Sequence, residues 1–403
     1  MRGTGDGGID NRLQGDERPF GGVHISCTAA RKREPSVKKT WKPLKYPCLH
    51  DDCLSIEVTS RCNSRCTHCF VRARRQVAEN LPLRLVRTLL QEGYEAGYRR
   101  LHITGGEPLL WKGLLEILDH AYGIGYEAAI LNTNGTILGK DMARSLSGYA
   151  GLTASVSLHG PRFLHDRFRG TGSYKRAVKG IEAALSAGVD THIFNTVTRS
   201  LLPDLPRFAD GLFQSFPGIK QLTFIQLIRV PDDWFDLSEE LLTPEDFIDL
   251  VKVSSLLNLH GLKINLLSNP LATVVSRMIG MPWVPPSPPL YLEGSVIVLA
   301  DRRVALAHSA TESFGRYQAG NLRTILDSDK YRRAVLPDRS TCPACMHLRD
   351  CAEAGMVRPS EWCRDMQPDI PYCRRVLARA TSIRQPRTDT GTPSDLLRNQ
   401  PKA

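Results

Sequence analysis

No stretch of the 403-residue chain stays apolar for the roughly 20 residues a membrane-spanning helix needs. The opening residues, MRGTGDGGIDNRLQGDERPF, contain no apolar core of a secretory signal. A cytoplasmic protein without a membrane span is therefore expected. There is no internal repeat. There is also no basic strand interleaved with aromatics of the kind that stacks bases, so no nucleic-acid partner is expected. The body of the chain is close to neutral. Of the formal +11, residues 1–45 hold ten Lys/Arg against five Asp/Glu, and residues 374–403 hold seven against two. Polar basic tails of this kind are usually solvated, and an acidic peptide is one surface they can touch.

What remains is ordinary in bulk and unusual in its cysteines. The apolar share of 41% and charged share of 24% suit a globular protein with a sizeable core. The length suggests two or three domains. Eleven cysteines in a chain with no secretory signal point to metal or redox chemistry rather than disulfides. Seven of them fall into two clusters, leaving Cys27, Cys48, Cys53 and Cys363 as plain thiols.

From Leu54 onward, short apolar or β-branched runs alternate with helix-like stretches. Strands are expected over Leu54–Thr59, Arg100–Thr104, Ala128–Asn132, Thr153–Leu158, Thr191–Thr198 and Leu222–Arg229. Helices are expected over Leu81–Gly97, Leu114–Gly125, Asp141–Leu146, Tyr174–Gly188 and Pro203–Phe216. This alternation implies βαβ units and a parallel sheet, either a partial barrel or a doubly wound sheet. In both, ligands sit at the C-terminal strand ends. After Arg229 the rhythm breaks. Thr243-Pro244-Glu245 reads as an N-cap, a Pro at N1 and an acidic first turn, opening a helix over Asp246–Leu259. Five prolines in Pro282–Pro289 then make a linker or strap.

Directly after the first strand comes Cys62-Asn-Ser-Arg-Cys66-Thr-His-Cys69. Three thiolates on one tight loop can hold three irons of a cubane and leave the fourth open to a small molecule. A zinc site with His68 as fourth ligand is the competing reading. The second strand ends Ile103-Thr-Gly-Gly-Glu-Pro108, where two glycines allow close backbone approach and Glu107 offers a carboxylate to an ammonium group.

CxxxCxxC after the first strand and GGE at the end of the second resemble the radical S-adenosylmethionine (SAM) superfamily, over about Leu54 to Arg229. The resemblance implies an α/β fold, a partial (β/α)6 TIM-like barrel. It implies a [4Fe-4S] cluster on Cys62, Cys66 and Cys69, with SAM chelated to the open iron. It also implies reductive cleavage of SAM to a 5′-deoxyadenosyl radical that abstracts a substrate hydrogen, and a reductant such as flavodoxin or ferredoxin. Gly105, Gly106 and Glu107 match the segment that binds the methionyl amine. Ser157 and Arg169 stand where similar members hold the SAM carboxylate and ribose. Asn134, in an Asn-Gly turn, is a weaker member of the same pocket. His68 stands where the family usually carries an aromatic residue.

The late cysteines, Cys342-Pro-Ala-Cys345, Cys351, Cys363 and Cys373, read as a metal site, with a zinc ribbon as the alternative. The segment Gly320–Lys330 resembles the lead-in to the SPASM extension, a small Cys-rich iron–sulfur domain with two auxiliary clusters in its complete form. Here Gly355 replaces one expected Cys. Glu293 and Ala307, flanking an expected hairpin in Gly294–Val304, replace two more. One auxiliary [4Fe-4S] cluster is therefore expected, on Cys342, Cys345, Cys351 and Cys373, with Cys363 as the rival fourth ligand. His308 follows the lost thiol position and is a candidate acid or base, or a satisfied surface histidine.

The expected layout is a basic arm over 1–50, a radical SAM barrel over 51–231, a helical connector with its Pro-rich strap over 232–290, the SPASM-like domain over 291–373 and a basic tail over 374–403. The function expected from the resemblance is maturation of a peptide or protein side chain. Tetrapyrrole side-chain chemistry is the second reading, and a non-catalytic iron–sulfur scaffold the third. A molybdopterin-type cyclase would be expected to end in Gly-Gly, whereas this sequence ends Asn399-Gln-Pro-Lys-Ala403.

Overall fold

The computed structural model describes residues 53–69, 71, 79–228, 237–267, 270–285, 294–308, 313–335, 345–347 and 370–384. The basic arm, residues 286–289 of the Pro-rich strap, Cys342, Cys351 and Cys363 lie outside these. Six parallel strands form where alternation predicts them: β1 (Cys53–Glu57), β2 (Arg100–Thr104), β3 (Ala128–Thr133), β4 (Leu152–Ser157), β5 (Asp190–Val197) and β6 (Gln221–Gln226). They are neighbours in chain order, and β7 (Ile264–Leu266) extends the sheet beyond β6. Helices α1 (Leu83–Glu95), α2 (Leu114–Ile124), α3 (Lys140–Leu146), α4 (Arg162–Arg169), α5 (Ser173–Ser186) and α6 (Leu205–Ser215) fill the crossovers. The result is a partial TIM-like barrel.

The strands alternate between two unlike faces. Leu54, Ile56, Leu101, Ile103, Leu131, Ala154, Val156, Ile193, Leu222, Phe224, Ile264 and Leu266 join one buried cluster with the apolar faces of the helices. Each such side chain removed from water contributes about 1.5–3 kcal/mol. The opposite face is mostly polar. The strand register aligns Ser55, His102, Ile130 and Thr153 in one row and Asn132, Ser155, His192 and Gln221 in the next. A third row holds Ser157, Phe194, Thr223 and Asn265. On this face Ile130 of β3 meets Leu267, just past β7, with Phe194 packed on them. Strands four places apart in the sheet touch, so the sheet curls and the polar face is its concave interior.

Helix α7 (Pro244–Leu259) starts with a capping box: Thr243 Oγ1 accepts from the Asp246 amide and Asp246 Oδ2 accepts from the Thr243 amide. Among the described residues no helix is long and apolar enough to cross a membrane. After α7 comes α8 (Pro270–Met278).

Two findings bear on the expected layout of the C-terminal part. The expected hairpin forms as β8 (Val296–Val298) and β9 (Val304–Ala305), but β8 pairs in parallel with β1 and continues the barrel sheet. The division expected at 291 therefore does not divide the sheet. Short contacts reinforce the join: Tyr98 Oη donates to the Gly294 carbonyl at 2.7 Å, and the Gly294 amide donates to Tyr331 Oη at 2.9 Å. Helices α9 (Leu322–Leu326) and α10 (Asp329–Val335) follow. Glu92 of α1 accepts hydrogen bonds from Tyr317 Oη, the Gly320 amide and the Leu322 amide at 2.7, 2.7 and 3.0 Å. The second concerns the part of 374–403 that the structure describes, 374–384. Residues 374–384 are not a solvated tail but belong to α11 (Ile370–Arg384), which packs Tyr372, Val376 and Ala380 into the core.

Candidate active site

The loop after β1 crosses the C-terminal edge of the sheet and is stitched to the end of β2. The Gly106 amide donates to the Thr59 carbonyl and the Glu107 amide to the Arg61 carbonyl, both at 2.7 Å. A Cβ on Gly106 would collide with the Arg61 carbonyl and lie 2.8 Å from the Ser60 oxygen, so only glycine permits this approach. A third tie runs from the Thr67 amide to the Phe168 carbonyl of α4, at 2.9 Å. The cysteine loop thus rests on β2 at one end and α4 at the other.

Cys62 and Cys66 are half-buried and Cys69 is exposed. The Cys62 thiol is pushed up to about 11, first by burial and further by Cys66, Glu107 and Cys69, while a backbone bond from Ser64 opposes the rise. Crowded thiols of this kind become thiolates when a cation sits among them. Among the described residues no three Cys, His, Asp or Glu side chains converge on one point as a single metal ion requires. A cubane is held differently, each thiolate on its own iron.

Glu107 lies at the end of β2 and is fully buried. Its carboxylate, which the sequence offers to an ammonium group, already accepts three hydrogen bonds within the chain. Oε1 accepts from Thr133 Oγ1 at 2.7 Å and from the Leu109 amide at 3.2 Å, and Oε2 accepts from the Asn134 amide at 2.7 Å. Burial raises its pKa, while these three bonds and Arg169 act against the rise. Glu107 therefore first fixes the loop after β3. In that loop Asn134 Nδ2 donates to Asn63 Oδ1 at 2.8 Å and approaches Cys62 Sγ at 3.9 Å, while Asn134 Oδ1 accepts from Thr136. Asn63, Thr133 and Thr136 are the site residues that sequence reasoning missed. The only local signal was that Asn63 stands between Cys62 and Cys66, and the other two flank the Asn-Gly turn.

Ser157 ends β4 on the concave face. Arg169 ends α4, a helix not expected from the sequence, with its Nη1 3.9 Å from Cys66 Sγ. Arg169 Nε is buried without a hydrogen-bond partner. A buried cationic N–H of this kind calls for an anionic oxygen. Beside it, His68 stacks on His159 at 5.2 Å, and His159 meets the Phe168 ring at a tilt of 54°, with centroids 4.6 Å apart. Burial holds both histidines well below their usual range, with Arg169 the next cause. Gly105, Gly106, Glu107, Asn134, Ser157 and Arg169 thus gather with the three cysteines at one edge of the barrel. Cys345 is half-buried in a short described turn. Cys373 is half-buried on α11 and packs against the core.

The donor set fits an iron–sulfur cluster with an anionic ligand beside it: three thiols on one loop, with an unpartnered Arg169 N–H next to Cys66. Residues 56–204 match the family model described as the Radical SAM superfamily. The chain is 34% identical over 150 residues to the AdoMet-dependent heme synthase of Oleidesulfovibrio alaskensis, covering 36% of this chain and 38% of that protein. It is 30% identical over 173 residues to the Fe-coproporphyrin III synthase of Methanosarcina barkeri, covering 42% and 43%. It is 35% identical over 161 residues to a GTP 3′,8-cyclase of Helicobacter pylori, covering 38% and 49%. The matched part thus spans less than half of each of these relatives. Among solved structures, native anSMEcpe with bound AdoMet superposes with a TM-score of 0.62 at 18% identity, over 82% of this chain and 99% of that one. Streptococcus suis SuiB bound to precursor peptide SuiA does so with a TM-score of 0.56 at 14% identity, over 72% and 66%. At these identities the likeness concerns the fold. The family match over residues 56–204, the curved parallel sheet and the three-thiol loop at its C-terminal edge agree on a radical SAM domain in this part of the chain.

Proposed function

We propose that this chain is a radical SAM enzyme that matures a peptide or protein side chain. In this reading Cys62, Cys66 and Cys69 hold the [4Fe-4S] cluster. The ends of β2, β3, β4 and α4, through Gly105, Gly106, Glu107, Asn134, Ser157 and Arg169, enclose SAM. When bound, cluster and SAM together supply a 5′-deoxyadenosyl radical. The chain's own residues orient the ligand and exclude water: Arg169 Nε offers a charged donor to a carboxylate, and Glu107 keeps the Asn134 loop in place. One auxiliary cluster on Cys342, Cys345, Cys351 and Cys373 completes the reading, with a flavodoxin- or ferredoxin-type protein as electron donor.

The observation that carries the substrate class is the concave face of the sheet. Ser55, His102, Thr153, Ser155, His192, Gln221, Thr223 and Asn265 line it with hydrogen-bonding groups. Such a surface suits the amides and side chains of a peptide. A tetrapyrrole, flat and largely apolar, asks for apolar walls. The tetrapyrrole reading is kept because two relatives are named as haem and coproporphyrin synthases.

Anaerobically reconstituted protein with SAM and dithionite is expected to release 5′-deoxyadenosine and methionine, and Cys66→Ala is not. Equal behaviour of the two proteins removes the enzyme reading in favour of a scaffold. Iron analysis is expected to give about eight Fe per chain, four for each cubane. A library of synthetic linear peptides covering all side chains is then compared with iron coproporphyrin. Faster 5′-deoxyadenosine release with a mass change in a peptide supports the proposal. The same response to the porphyrin alone overturns it.

A further inference from the structure

Asn63, Thr136 and Asn134 form a closed ring of side-chain hydrogen bonds across two loops. Asn63 Nδ2 donates to Thr136 Oγ1 at 2.9 Å, Thr136 Oγ1 donates to Asn134 Oδ1 at 2.6 Å, and Asn134 Nδ2 donates to Asn63 Oδ1 at 2.8 Å. Each member gives one bond to the next, so the ring closes head to tail. Asn63 stands between Cys62 and Cys66, whereas Asn134 and Thr136 flank the turn after β3. The ring therefore clasps the cysteine loop from a neighbouring strand end.

The ring fixes which end of the Asn134 amide faces the cysteines. Asn134 Oδ1 also accepts from the Thr136 backbone N–H at 2.9 Å. A backbone N–H only donates, so the oxygen must stand on that side and the NH₂ group on the other. One N–H of that group goes to Asn63. The NH₂ group also approaches Cys62 Sγ, 3.9 Å away. Asn134 is buried, and its backbone N–H is held by Glu107 at 2.7 Å, so the amide cannot swing away without breaking this set of bonds. Cys62 Sγ also accepts from the Ser64 backbone N–H at 3.4 Å. A thiolate is a far stronger acceptor than a thiol, because its full charge stays on the sulfur. In an iron–sulfur cluster, hydrogen bonds to the sulfurs stabilise the more negative, reduced form and so raise the reduction potential.

We propose that the Asn63–Thr136–Asn134 ring is a clamp that aims the Asn134 amide at Cys62, and that this N–H donates to the Cys62 thiolate and makes the cluster easier to reduce. The inference rests on the radical SAM reading above. It gives Asn63 and Thr136 a positioning role and Asn134 a tuning role toward the cluster. The clamp itself carries no electron. The flavodoxin- or ferredoxin-type donor supplies one, and the N–H···S bond strengthens as charge on the sulfur grows.

Redox titration of the reconstituted full-length protein without SAM, followed by electron paramagnetic resonance, tests the clamp. Cys62→Ala/Cys66→Ala/Cys69→Ala protein identifies the signal of any other cluster. Asn134→Leu removes the donor without adding charge. Its midpoint is expected to become more negative by about fivefold in the one-electron equilibrium, or about 40 mV, the worth of one hydrogen bond. Thr136→Val removes only the hydroxyl, keeps the backbone bond to Asn134, and lies outside the residues assigned to SAM. It should shift the midpoint in the same direction by less, and it decides the case if Asn134→Leu holds no iron. In both variants the terminal Fe–S stretching band of the resonance Raman spectrum should rise, because a donor draws electron density from the sulfur. Water entering a loosened site would lower that band. Faster iron release to a chelator with midpoint and band unmoved would mark a merely structural contact and overturns the proposal. An unmoved midpoint in Thr136→Val overturns the aiming role of the ring. If the triple variant holds as much iron as wild type, no cluster sits on this loop, and the radical SAM reading fails together with the clamp.

Discussion

The carboxylate of Glu107 accepts the backbone N–H of Asn134 at 2.7 Å, so the end of β2 holds the loop after β3 by a fully buried, charge-bearing bond. The glycines before Glu107 carry the cysteine loop, and Asn134 in turn reaches Asn63 between two of the cysteines. One carboxylate thereby ties three loops together. In Glu107→Gln an amide N–H₂ must face at least one backbone N–H. A loss of about 1–3 kcal/mol is expected in urea unfolding, with faster amide exchange at Asn134–Thr136. Wild-type exchange in that loop would show that Glu107 does not hold it.

Gly106→Ala tests the close approach of the two loops. The added methyl meets backbone atoms of Ser60 and Arg61, which cannot rotate away. The Cys62–Cys69 loop must move, and reconstituted iron is expected to fall by about four Fe per chain, one cubane, with the fold retained by circular dichroism. Full iron loading would mean that the loop tolerates displacement.

Glu92→Ala removes the acceptor for Tyr317, Gly320 and Leu322. Two backbone amides lose a charged partner, with an expected cost of about 2–3 kcal/mol. Glu92→Gln should cost less. Limited proteolysis is expected to cut first within 313–335, and an unchanged digestion pattern would count against Glu92 as the anchor of that segment.

Stability is expected to fall in mild acid. Burial is the largest cause in each of three histidines: it takes His102 and His165 down to about 3 and His192 to about 4, from 6.5. All three are neutral in the folded chain. The unfolded chain binds protons there as pH drops below about 6.5, so their contribution is complete above that pH. It is lost as pH falls toward 4 and below, at up to ~1.4 kcal/mol per pH unit for each. Urea midpoints between pH 6.5 and 5 measure the slope. His192→Leu, on the concave face, should flatten it.

Much of the fold was legible because it is local. Short apolar or β-branched runs placed the first six strands to within a few residues, and Thr243-Pro244 placed the start of α7. Helix α4 was not legible. Its eight residues, RFLHDRFR, are largely polar, and its helical state rests on burying Leu164, His165 and Phe168. The site was half legible. Cys62, Cys66, Cys69 and Gly105–Glu107 stand out by spacing, while Asn63 and Thr136 become site residues only through bonds between separate loops.

The sequence alone determined that three thiols follow one strand, that a GGEP turn follows the next, and that strands alternate with helices, since each depends on neighbours a few residues apart. Tertiary structure decided three other things. Glu107 serves the Asn134 loop before any ligand. The hairpin near residue 300 joins the barrel through β1, and residues 374–384 pack as part of a helix. It also brought Glu57 against His308. These depend on which distant surfaces meet when the sheet curls, and a strand's local pattern shows that it buries a face without naming the partner that covers it.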